Sequence, residues 1–520
     1  MQTPASDELP FDPEWLATNS SLPDTQIHEV QSHIKRIASR IASLDADIAR
    51  LQKPRQALAS LLYSLKAAVS PLRSLPPELL SEIFLHCLPS SAEPYSFDPS
   101  ETPNLLAQIC TRWRAVALGL QPLWAAMCLD LDDLPDLRLV ALWLERSGTH
   151  SLTLRIAAGD EYCTLEQATA VAQMLELLAP HAPRIRHVAV RVPVPRLQPL
   201  AVFSGRLPAL FSLEIESTQN DAGGGDEFSF PSAFEDLPAL RELRLPGPLF
   251  SDEMKLRWSQ LTSFHAAVCS YRDWFFVLAE CPRLKCFKID SGEYWEEEET
   301  PDGYWHTTHA TLEALHIDYA DDLFVASIFT KSTLPGLLHL TTRDAGLYVP
   351  PSFAPFVTRS GCALQTLHIG SSFLSASRAH RVSGAHFLDA LDALPGLVEL
   401  SMKGGQGVDY PDLLGMALTW GAGGHRLPSL RFLDLYVDNP YTRRRCQLLP
   451  LALMLGTRWE ASRGGEPSGT SPAWLEDVTL HFSAHRAPAV DEKYLDDLCR
   501  IGMPLRILRD ARDDANDDGI

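Results

Sequence analysis

The sequence has no Cys-x-x-Cys pair, no Gly-Lys dipeptide, no long apolar run and no excess of positive charge. Each absence closes a class. Without Cys-x-x-Cys units the ten cysteines cannot frame a RING-type zinc site, and across 520 residues they are too sparse for a disulfide scaffold. They read as reduced thiols, mostly buried as small hydrophobes. Without Gly-Lys there is no P-loop, which weakens the case for a nucleotide-gated leucine-repeat sensor. Neither Gly-x-Ser-x-Gly nor His-Glu-x-x-His occurs, so serine-hydrolase and zincin chemistry have no seed. No apolar stretch approaches the ~18 residues of a membrane span. The acidic start MQTPASDELPFDPEW lacks the positive and apolar regions of a signal peptide. The sequon at Asn19-Ser20-Ser21 is therefore expected to be silent. A net charge of −21 opposes nucleic-acid binding, which needs a basic face. The expectation is a soluble, non-enzymatic protein of the cytoplasm or nucleus, with no cofactor and no metal.

What is present is ordinary globular material, 45% hydrophobic and 21% charged, enough for about three domains or one long array. Residues 1–23 are polar and Pro-containing and read as a disordered arm. Pro23-Asp24 then opens a helix. Apolar residues recur at Ile27, Val30, Ile34, Ile37, Ile41, Leu44, Ile48 and Leu51, alternating steps of three and four. This is a heptad seam. Pro54 interrupts it, with Arg55 at the next seam position, and the pattern resumes through Leu58, Leu62, Leu65, Val69 and Leu72. A kink or short break is expected at Pro54, since an interior proline costs ~3 kcal/mol. Residues 25–73 hold eight Lys/Arg against three acids, so this helix is basic while the remainder is acidic. Either another helix, including a second copy, covers the seam, or it packs back on its own chain.

From about residue 150 the chain repeats itself. The pattern Pro-x-Leu-x-x-Leu-x-Leu appears as PRIRHVAV (183–190), PALFSLEI (208–215), PALRELRL (238–245), PRLKCFKI (282–289), PGLVELSM (395–402) and PSLRFLDL (428–435). Looser copies begin at Leu261, Leu312, Leu337, Leu364 and Leu475, mostly 21 to 33 residues apart. The last two apolar positions alternate with polar ones, as on one face of a strand, and the first turns into the same core. Helical stretches such as 165–180 and 386–395 lie between copies. Strand plus helix, repeated, predicts an α/β leucine-rich-repeat solenoid (a horseshoe) over residues 126–510, followed by an acidic tail, 511–520. Residues 291–311 read as an inserted hairpin turning at Pro301-Asp302-Gly303, with Tyr294, Trp295, Tyr304 and Trp305 on its arms. Residues 456–474 read as a Gly/Ser/Pro-rich loop.

Between the heptad helix (24–72) and the repeats lie residues 73–125. Ser74 suits a helix cap and Pro76 a first turn. Leu79, Leu80, Ile83, Phe84 and Leu88 then form an apolar face. A Pro-rich loop follows (Pro89, Pro94, Pro99, Pro103), then a second stripe of Leu105, Leu106, Ile109, Trp113, Val116 and Leu120. LPPELLSEIFLHCL, then ICTRWRAVA, then PLW, closely resembles the F-box, especially that of mushroom-forming fungi, which set a heptad helix before it and leucine-rich repeats behind. The family's Leu-Pro falls on Leu75 and Pro76. Its acidic and apolar positions fall on Glu78, Leu79, Ile83, Phe84 and Leu88, and its Cys-x-x-Trp-Arg on Cys110, Trp113 and Arg114. The loop before Trp113 is longer and richer in proline than in a compact F-box.

The resemblance implies the substrate receptor of an SCF-type (Skp–cullin–F-box) ubiquitin ligase. Leu75, Pro76, Glu78, Leu79, Ile83, Phe84, Leu88 and Trp113 would bind the Skp-type adaptor of the cullin complex, and the repeats would hold a target protein. Catalysis would be proximity given to other subunits. The aromatic hairpin, with acids Glu296 to Glu299, suits a basic target; equally, its rings pack on the solenoid. Arg443, Arg444 and Arg445 suit an acidic or phosphorylated motif, or form a solvated loop. His306 and His309 have ligand spacing but no third ligand nearby. A second reading makes the chain a non-catalytic scaffold or dimer, acting through the heptad helix and repeats without ubiquitination.

Overall fold

The computed structural model describes residues 23–88, 97–159, 165–216, 232–245, 256–293, 306–320, 322–342, 351–370, 384–402, 410–421, 425–436, 448–463, 472–482 and 492–509. The chain divides into two compact units, Met1–Ile83 and Phe84–Ile520. The division falls inside the helix Pro77–His86. No helix among the described residues is long and apolar enough to cross a membrane.

The first unit is dominated by one helix, Asp24–Ala68, which runs unbroken through Pro54. Of the expected kink or short break, the break is absent. Proline removes only one helical donor and clashes with one preceding turn, and a helix of this length carries that local cost. The helix ends four residues before the seam pattern does: Val69 is its C-terminal cap, and Leu72 lies in the short 3-10 turn Pro71–Arg73. The seam faces solvent. Ile34, Ile41, Leu44, Ile48, Leu51, Leu58, Leu62 and Leu65 are all exposed among the described residues.

The second unit is an α/β body around a parallel sheet of 14 strands, each hydrogen-bonded to its neighbours in chain order. Every repeat copy read from the sequence is a strand, from Ile185–Arg191 to Asp477–Phe482. Ala126–Asp130 and Leu152–Ala157 precede them and Leu505–Arg509 follows; these three carry no Pro-x-Leu signature. Parallel neighbours require a crossover on every step. Helices supply it at Leu137–Arg146, Leu165–Leu178, Tyr271–Glu280 and from Asp322–Lys331 onward. Between residues 191 and 263 the described crossovers are 3-10 turns instead, including Val194–Phe203 and Ser232–Phe234.

The register explains the motif. Leu213, Leu243, Phe264, Phe287, Leu315 and Leu340 are cross-strand partners in one buried row, which Leu367, Leu400, Leu433 and Val478 continue. The first apolar position of every copy, from Ile185 to Leu475, is also buried. The apolar residue of each strand in the buried row thus lies beside those of its neighbours in the sheet.

Two assignments change. The insertion read at 291–311 is shorter, because the strand Cys286–Glu293 continues into it and pairs Ser291 with Val268 and Tyr319. At its other end Thr307–Thr308 pairs in parallel with Ser332–Thr333. Residues 456–463 are not loop but the end of the helix Leu448–Arg463. There Arg458 is buried and donates to the carbonyls of Leu418 (2.9 Å), Leu427 (3.0 Å) and Arg426. Composition pointed to a loop because an arginine and a glycine seldom mark a buried helix face. Of the eight cysteines described, all are free thiols, but only Cys269 and Cys281 are buried; Cys87, Cys110 and Cys499 are exposed. Burial pushes the Cys281 thiol up to about 12, which keeps it protonated and inert.

Candidate functional site

The helix Pro77–His86 begins where Pro76 and Pro77 lack N–H donors that no helix start needs. Its apolar face splits in two. Leu80 and Phe84, four apart, are fully buried. Leu79 and Ile83, also four apart, are 51% and 41% exposed. Leu75 and Leu88 are half-buried, and Pro76 and Glu78 are exposed. Phe84 is therefore corrected from contact residue to core: its ring sits 5.0 Å from Trp113. Trp113 is half-buried.

The segment 97–125 is held by its own polar groups. Asn104 donates to the carbonyls of Phe97 (3.2 Å) and Asp98 (3.3 Å), and Gln108 to that of Pro99 (2.7 Å). Cys110 caps the helix Thr111–Gly119, its sulfur accepting from the Trp113 N–H. Arg114 donates from Nε to the Ala107 carbonyl at 2.8 Å. Cys110 and Arg114 thus fasten the short helices to each other. Leu105, Ile109 and Leu118 are left exposed; the first two lie on the predicted stripe, and Leu118 falls off its spacing.

Trp124 joins this helical segment to the sheet body. It is fully buried and donates from Nε1 to the Ala117 carbonyl at 2.8 Å. Its ring meets that of Trp143 edge-on at 4.9 Å, with the Arg146 guanidinium 4.4 Å above it. Trp143 also takes Phe97 at 4.7 Å and donates to the Ala126 carbonyl. Helices and first strands therefore share one aromatic core.

The sheet offers a second candidate surface. One cross-strand row opposite the buried one runs Glu214, Arg244, His265, Lys288, His316, Thr341, His368, Ser401 and Asp434. Arg244 bridges Glu214 (2.6 Å), Glu216 (3.0 Å) and Asp290 (3.5 Å). Asp290 also meets His265 at 2.7 Å and Lys288 at 3.0 Å, and Lys288 reaches Asp318 at 3.2 Å. Burial acts to raise the Asp290 carboxyl, but Lys288 and His265 outweigh it and hold it below the usual carboxylate range. Burial lowers His265, helped by Arg244 and Lys288 and opposed by Asp290. The sequence reading missed this row: the residues are ordinary polar strand positions, and only register makes them neighbours.

Tyr294, Trp295, Tyr304, Trp305, Arg443, Arg444 and Arg445 lie outside the described residues. His306 Nε2 lies 3.3 Å from the Thr333 hydroxyl, while buried His309 has its Nε2 2.8 Å from the Cys281 carbonyl. Among the described residues no group of three or more His, Cys, Asp or Glu could hold a metal ion. No known protein family matches the chain, and no curated protein matches it.

Proposed function

We propose that this chain is a substrate-recognition subunit of an SCF-type ubiquitin ligase, with residues 73–125 acting as an F-box and the strand–helix units as a leucine-rich-repeat solenoid. The observation that carries the reading is the split face of the helix Pro77–His86. Leu80 and Phe84 are buried, yet Leu79 and Ile83 stand in water on the same ten residues. Two large side chains kept exposed beside a satisfied core mark a surface for another subunit. The chain itself needs no catalytic residue on this reading; it contributes proximity.

The solenoid reading is supported by the strictly consecutive parallel strand order and by one buried leucine position per unit. The target would lie along the polar row from Glu214 to Asp434, where charged groups are already held in place. The Trp124–Trp143 core supports a firm join between residues 97–125 and the first strands.

The test is co-purification of the full chain with a Skp-type adaptor. Wild type is expected to bind, and Leu79→Asp/Ile83→Asp to lose binding while keeping its thermal unfolding transition. Absence of adaptor from the wild-type preparation would remove the F-box reading and leave the scaffold reading, which needs no adaptor; equal recovery by both proteins would remove Leu79 and Ile83 as the contact.

A further inference from the structure

We propose that the N-terminal helix pairs with a second copy of this chain as a parallel, in-register two-stranded coiled coil over residues 27–51. The seam is open: exposures run from 40% at Ile37 to 61% at Ile34 between Ile34 and Leu51. Such a stripe on a long helix is stable in water only when another surface covers it.

Its chemistry specifies that surface. With Ile27 at a, the a positions are Ile27, Ile34, Ile41 and Ile48, and the d positions Val30, Ile37, Leu44 and Leu51. A β-branched residue at every a, with leucine at the last two d positions, is the packing that two parallel strands favour. The flanking positions are narrow and mostly polar: Gln26, His33, Arg40 and Asp47 at g, and Gln31, Ala38, Asp45 and Gln52 at e. A stripe only a and d wide fits one partner helix.

Charge sets the orientation. A parallel, in-register pair places each g residue against the e residue five positions later on the other copy. Arg40 then faces Asp45 of the second copy, twice by symmetry, and no like charges meet. Asp47 is already engaged by Arg50 of its own helix at 3.1 Å, whereas neither Arg40 nor Asp45 makes an ion pair among the described residues. An antiparallel pair sets g against g and loses both contacts. Pro54 and Arg55 mark the limit: Arg55 occupies an a position, where two copies would bring arginine against arginine. The tight segment therefore stops at Leu51.

The experiment is sedimentation equilibrium of the purified full chain without adaptor, so its outcome is independent of the F-box reading. Wild type is expected at twice the 57.6 kDa chain mass. Ile34→Asp/Ile41→Asp is expected at the single-chain mass, with the thermal transition of the sheet unit unchanged as a control for folding. Arg40→Asp is expected to weaken the dimer about tenfold, and Arg40→Asp/Asp45→Arg to restore it. A wild-type monomer, a threefold or larger mass, or a mass indifferent to Ile34→Asp/Ile41→Asp overturns the proposal. Failure of the double charge exchange to restore association overturns the parallel register.

Discussion

The ring of Phe84 rests 5.0 Å from that of Trp113, with the two planes tilted by 55°. One residue earlier, Ile83 points outward. Neighbouring positions on one short helix thus do opposite jobs, and they should fail in opposite ways.

Phe84→Ala should destabilise the protein by about 3–5 kcal/mol, because it empties a fully buried aromatic site. Chemical denaturation monitored by tryptophan fluorescence would report it through Trp113. Leu79→Asp/Ile83→Asp should change stability by no more than about 1 kcal/mol, as exposed substitutions do. If the exposed pair proved as damaging as Phe84→Ala, the division between inner and outer lines would be wrong.

Arg458 should resist even conservative exchange. It is buried, and its guanidinium answers three backbone carbonyls from two separate segments. Burial pushes its pKa down to about 10, so it still carries its charge at neutral pH. Arg458→Met strands those acceptors at about 1–3 kcal/mol apiece. Arg458→Lys has one compact donor head and cannot span the same carbonyls, so it should rescue little. Hydrogen exchange over residues 410–463 should rise in both variants; protection at wild-type level with lysine would refute the geometric argument.

Acid should loosen the middle of the sheet in two stages. His265 is lowered from its ordinary 6.5, chiefly by burial. The unfolded chain therefore takes up a proton below 6.5 before the folded one does, and stability falls as pH drops through that range. Asp290 is held below its ordinary 3.8, so its contribution is complete above that value and is lost as pH falls through the lower folded pKa. Unfolding midpoints measured from pH 7.5 to 5 should fall less steeply for His265→Gln than for wild type. Parallel curves for the two proteins would show that His265 does not report this linkage.

The strands were legible because a recurring motif with fixed internal spacing leaves little freedom: the alternation of Leu213 with Glu214, or Leu433 with Asp434, can only be satisfied on a pleated, one-sided surface. The strands without the signature, such as Ala126–Asp130, were invisible because pairing with a neighbour defines them. The helix end at Arg458 was misread because composition does not report which polar group finds partners inside. The split of the helix Pro77–His86 was out of reach too: Leu79, Leu80, Ile83 and Phe84 are equally apolar in sequence, and only tertiary packing decides which pair is covered.

The order of letters alone settled the heptad seam, the recurring strand units and the acidic balance, since each is a periodicity or a sum carried along the chain. Tertiary structure alone decided which apolar residues face water and which charged residues become neighbours. Residues 214 and 290 are far apart along the chain, and only parallel register brings both side chains within reach of Arg244.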